Sequence, residues 1–65
     1  MIKNFDKVKI KDLDILGQVI DTSIRGGKKH YLVEVDEKRA IDDPRVIAPG
    51  DWAILDCVAE ELELV

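Results

Sequence analysis

The chain has one cysteine, one histidine and one each of Trp, Tyr and Phe. A single cysteine excludes an internal disulfide. One cysteine and one histidine cannot make an ordinary His/Cys zinc site. No apolar run approaches the ~18 residues of a transmembrane helix, so no membrane association is expected. The opening MIKNFDKVKIK has no apolar core, so no signal peptide is expected. With a lone cysteine, this points to a cytoplasmic protein. The phosphate-cradling pattern G-x-x-x-x-G-K-[ST] is missing, as are EF-hand spacing, internal repeats and low-complexity segments.

What is present fits one folded domain over residues 1–65. Hydrophobic residues make up 46% and charged residues 37% of the 65 positions, a balance of globular rather than disordered chains. A domain this short buries only about 60% of its unfolded surface. Its stability must come from a thin apolar core or from self-association, so a homodimer is one expectation. Net charge is −4, unevenly spread: residues 1–30 hold seven basic and four acidic side chains, residues 31–65 three basic and ten acidic. An acidic balance argues against non-specific nucleic-acid binding, which needs several phosphate-neutralising cations.

The chain is organised around Ile15–Asp36, ILGQVIDTSIRGGKKHYLVEVD. Two runs rich in β-branched residues flank Gly26-Gly27. Adjacent glycines supply the positive φ that two-residue hairpin turns require. With these as the loop, Arg25 faces Lys28, Ile24 faces Lys29, Thr22 faces Tyr31, Ile20 faces Val33 and Gln18 faces Val35; a longer loop with a bulge is the main competing arrangement. One face then carries Ile20, Thr22, Ile24, Tyr31, Val33 and Val35. Val19 and Leu32 fall on the other face with Asp21, Ser23, His30 and Glu34, which suggests strands wrapped on both sides. Gly17 is out of place in a regular strand and marks a bulge, a bend or a close backbone approach.

Upstream, FDKVKIK alternates with period 2, placing Val8 and Ile10 inward and Lys7, Lys9 and Lys11 outward. The simpler reading of this lysine row is protection of an exposed edge strand; the functional one is a phosphate-binding stripe. Asp12-Leu13-Asp14 reads as a turn, with Leu13 tucked under the end of the fold. Residues 37–51 form the longest irregular stretch. Asp43-Pro44 disfavours helix, Ala48-Pro49-Gly50-Asp51 fits a type II turn, and Arg45–Ala48 has room for a short strand. Trp52–Val58 reads as a central strand covered on both faces, with Asp56 near an end or edge. Ala59-Glu60-Glu61 allows one helical turn, and Leu62–Val65 closes as a last strand with Leu62 and Leu64 inward.

In this order, VKI, LGQVIDTSI, HYLVEVD, DWAILDC and AEELELV resemble the SH3-like small barrels. The closing AEELELV is similar to endings in such barrels, including KOW-type domains and the small photosystem I barrel subunit. The resemblance implies an all-β, five-stranded, partly open barrel with one short helical turn before the last strand. Such domains are frequent as accessory proteins, including phage-encoded ones. Proline-peptide binding does not carry over, because the row of aromatics that this needs is absent.

Little here suggests catalysis, which needs a positioned nucleophile, a base and charge-stabilising donors. Cys57 lies in an apolar run, where burial raises a thiol pKa, so it reads as inert core. The adjacent acids Asp42-Asp43 and Glu60-Glu61 read as turn and helix-start residues. No enzyme activity and no cofactor are expected. The tip Arg25-Gly26-Gly27-Lys28-Lys29-His30 concentrates basic side chains; a solvated hairpin tip is the simpler reading, contact with an anion or acidic partner the functional one. Trp52 is either core or an interface anchor, a role in which Trp is enriched. The candidate partner-binding residues are therefore Trp52, Arg25, Lys28, Lys29 and His30. The reading is a non-enzymatic interaction module with a protein partner. The alternative is a nucleic-acid-binding barrel using Lys7, Lys9, Lys11, Arg25, Lys28 and Lys29.

Overall fold

The computed structural model describes residues 2–36, 42–48 and 53–65. Among them are six strands: β1 (Lys7–Ile10), β2 (Ile15–Arg25), β3 (Lys28–Val35), β4 (Val46–Ala48), β5 (Ala53–Val58) and β6 (Leu62–Leu64). One 3-10 turn, Ala59–Glu61, precedes β6. All pairings are antiparallel and build one open sheet in the order β4-β5-β3-β2-β1-β6. The all-β class is thus established. The strand count is six rather than five, because the short apolar run Val46–Ala48 pairs with β5 as an edge strand.

Alternation fixes the core. Val8 and Ile10 of β1, Ile15 and Val19 of β2, and Tyr31, Val33 and Val35 of β3 are buried. Ala53, Leu55 and Cys57 of β5 and Leu62 of β6 complete the layer. Leu13 packs against it from the β1–β2 turn. Leu64, expected inward with Leu62, is 47% exposed. Strand β5 is buried on one face and half-buried on the other, so it follows a one-sided alternation rather than the two-sided cover that its apolar content suggests.

The hairpin turn forms on Gly26 (φ 59°) and Gly27 (φ 77°). Pairing follows the expected register through Arg25↔Lys28, Ile24↔Lys29, Ser23↔His30 and Thr22↔Tyr31. The register then shifts between Val19 and Asp21, and the next pairs are Val19↔Val33 and Gln18↔Glu34. Ile20 is the extra residue of a β-bulge, and one extra residue moves everything beyond it to the opposite face. Val19 therefore enters the core in place of Ile20.

Strand β1 is interior, between β2 and β6. The edge-protection reading of its lysines is corrected accordingly. A Cβ built on Gly17 would stand 2.7 Å from Cγ1 of both Val33 and Val35, and 2.8 Å from the Glu34 carbonyl oxygen. Gly17 is present because β2 crosses β3 too closely for any side chain there. The curl brings the sheet's two edges near each other: Arg45, at the entry to β4, reaches both Asp12 and Glu61, which flank β1 and β6. No helix among the described residues is long and apolar enough to cross a membrane.

Candidate functional site

The hairpin tip gathers its cations onto partners within the chain. Pairing of β3 with β5 sets Asp56 opposite Leu32 and next to His30. His30 Nδ1 donates to Asp56 Oδ1 at 3.0 Å, and the Arg25 guanidinium donates to Oδ2 of the same carboxylate. Burial pushes the Asp56 carboxyl up, but the bonds from Arg25 and His30 outweigh it and hold the pKa below the ordinary carboxylate value. Lys28 Nζ lies 3.8 Å from Glu60 Oε1. Lys29 Nζ sits 5.5 Å from the centre of the Tyr31 ring, within cation–π range. The structure thus brings together Arg25, Lys28, Lys29 and His30, each facing a partner inside the chain. Trp52 lies outside the described residues, as does the Pro49-Gly50 turn before it.

Cys57 and His30 occupy opposite faces. Cys57 pairs with Tyr31 on the core side, whereas His30 pairs with Val58. Burial pushes the Cys57 thiol up to about 12. Among the described residues, no three His, Cys, Asp or Glu side chains gather so as to hold a metal ion.

A second surface was not singled out from the sequence. Several large apolar side chains remain exposed, among them Phe5 (69%), Leu16 (62%) and Val65 (74%). Leu16 and Val65 line a shallow groove of about 260 Å³ on the outer side of β1, β2 and β3. Lys7, Gln18, Glu34 and Asp36 complete its walls, with Gly17 between Leu16 and Gln18. Val65 is placed there by continuing β6 along β1, its N–H donating to the Lys7 carbonyl at 3.2 Å.

Phe5 lies on the turn that precedes β1. Its φ of 71° lies in the left-handed region, which costs a bulky residue roughly 1–2 kcal/mol. The turn is held by its neighbours. Phe5 N–H donates to Val19 O at 2.6 Å, Val19 N–H to Asp6 O at 3.0 Å, and Lys3 N–H to the Asp6 carboxylate at 2.8 Å. Gln18 Nε2, from the groove wall, donates to the Phe5 carbonyl at 3.2 Å. The ring of Phe5 is left exposed on this turn. Phe5 precedes β1, so the alternation of that strand does not reach it.

Compared with known proteins, the chain matches no family model, no curated protein and no solved structure.

Proposed function

We propose that the chain is a non-enzymatic interaction module, an SH3-like, partly open barrel that docks a protein partner on the outer face of β1 and β2. One observation carries this reading. Leu16 and Val65 remain exposed along a groove, and Phe5 is exposed on the turn that precedes β1. Exposed apolar groups rimmed by polar ones mark interaction sites, and aromatic side chains dominate binding energy where they are desolvated. A cytoplasmic setting and an accessory role belong to the same reading.

The nucleic-acid alternative is the weaker one. Arg25, Lys28 and His30 face carboxylates of the chain, and Lys9 lies between Asp14 (3.6 Å) and Glu63 (3.3 Å). Cations already partnered release fewer counterions from a phosphate backbone. Titration with DNA and RNA fragments at two salt concentrations separates the readings. Tight binding that weakens steeply with salt establishes the nucleic-acid alternative, and no binding at low salt removes it.

For the docking face, partners captured by the wild-type chain are compared with those of Leu16→Asp and Trp52→Ala, with circular dichroism checking that each variant folds. Loss of a partner in Leu16→Asp supports the face. An unchanged set in Leu16→Asp removes it, and loss in Trp52→Ala alone moves the anchor to Trp52.

A further inference from the structure

The charges around the groove specify its occupant. Most carboxylates among the described residues are already engaged. Asp12, Asp43 and Glu61 surround Arg45; Asp14 and Glu63 flank Lys9. Asp56 and Glu60 hold the hairpin cations, while Asp6 and Asp21 accept backbone N–H groups. Glu34, Asp36 and Asp42 have no such partner among the described residues, and the first two stand on the β3 wall of the groove. Lys7 stands on the β1 wall, across the intervening β2. Two strand spacings separate those walls, roughly 10 Å. The groove is therefore acidic on its β3 side and basic on its β1 side, with Leu16 and Gln18 of β2 between them and Val65 beyond Lys7 on the β6 side.

Resting on the reading that this face docks a partner, we propose that the groove takes an extended peptide segment in which a lysine or arginine lies two residues from an apolar side chain. The cation sits against Glu34 and Asp36. The apolar side chain, on the same side of the extended segment, covers Leu16. Lys7 faces a carbonyl of the segment. Long basic side chains suit such a site because the aliphatic stem covers apolar surface while the head stays at the carboxylates. The excess of acidic groups in residues 31–65 also favours approach of a cationic partner over a phosphate-bearing one.

The probes are three capped peptides, acetyl-Arg-Thr-Leu-Thr-amide and its counterparts with norleucine or glutamate in place of arginine. Each is titrated into 15N-labelled protein to millimolar concentration. The arginine peptide is expected to move the amide signals of Leu16, Gln18 and Glu34, and to bind at least about tenfold more tightly than the glutamate peptide. That preference is expected to shrink with added salt. The double variant Glu34→Gln, Asp36→Asn, both on outward positions, is expected to erase the preference, so that the arginine and glutamate peptides bind alike. Equal affinity for the arginine and norleucine peptides overturns the charge selection but leaves the docking face standing. Shifts confined to the hairpin tip, or none at the groove with any peptide, overturn the proposal; the fate of the face is then decided by the Leu16→Asp capture. Self-association of the free protein that moves the same groove signals on dilution also overturns it, with a second copy as the occupant.

Discussion

Gly17 carries the sharpest constraint of any single residue. The space a methyl group would need is taken by two valine side chains and a backbone carbonyl, all closer than 3.0 Å. The valines belong to the buried core and the carbonyl to the β2–β3 crossing, so neither yields without moving the sheet. Gly17→Ala is expected to destabilise the fold by about 1–3 kcal/mol, the range of overpacked cores, read as a lower urea midpoint. An unchanged midpoint would show that the crossing is looser than these distances. Cys57 gives a second residue-level expectation. Its thiol is fully buried and pushed up to about 12, and only the thiolate is a good nucleophile. A thiol reagent at pH 8 should leave the native protein unmodified and label it rapidly in denaturant. Fast labelling of the native state would place Cys57 at a surface instead.

At the scale of elements, the hairpin shows what was readable and why reading stopped. Gly26-Gly27 fixed the turn, and every pair from Arg25↔Lys28 to Thr22↔Tyr31 followed from it. Beyond Thr22 the bulge at Ile20 shifted the register, and Val19 rather than Ile20 became core. A bulge inserts a residue in one strand and leaves no composition signature. Its trace was indirect, an apolar Val19 stranded among polar neighbours. The groove escaped for another reason: its walls come from β1, β2, β3 and the residue after β6, and only pairing brings these together. The tip's basic residues were legible as a cluster, but their engagement by Asp56 was not, since Asp56 lies 31 residues from Arg25. That engagement has a pH signature. The native Asp56 pKa is depressed, so the stability it contributes is full above the unfolded carboxylate pKa of about 3.9 and is lost as pH falls below it. Asp56→Asn is expected to cost about 1 kcal/mol near neutral pH, a modest figure because Arg25 is more than half exposed. It should also flatten part of the stability loss between neutral pH and pH 3. A variant as acid-sensitive as the wild type would assign that loss elsewhere.

The molecule as a whole is held at its open edges by Arg45. Hydrogen bonds knit neighbouring strands, but β4 and β6 are the two ends of the sheet and share no ladder. Arg45 bridges them, with donors 2.8 Å from Asp43 Oδ1, 2.9 Å from Asp12 Oδ2 and 2.8 Å from Glu61 Oε2. Its backbone is tied to β5, where the Arg45 carbonyl accepts from Asp56 N–H at 2.9 Å. The Glu61 carbonyl in turn accepts from Lys11 N–H, also at 2.9 Å. One planar guanidinium serves three carboxylates, which a lysine ammonium on a single point of charge cannot match. Hydrogen bonding to Arg45 is the largest influence on Asp43 and holds its carboxyl below the ordinary value. By the same sign as for Asp56, this stability is present above the unfolded carboxylate pKa and drains away as pH falls through the depressed native one. A domain of 65 residues has a total stability of only roughly 3–10 kcal/mol. Losing hydrogen bonds to several charged groups, at about 2–3 kcal/mol in all, is then a large share of it. Arg45→Gln is expected to lower the urea midpoint accordingly, and Arg45→Lys to recover less than half of the loss. Hydrogen exchange gives the discriminating measurement. If Arg45 joins the edges, amides of β4 and β6 exchange faster in Arg45→Gln under conditions where those of β2 and β3 stay protected. If protection falls equally across all strands, Arg45 supports the fold generally and the edges are held by something else.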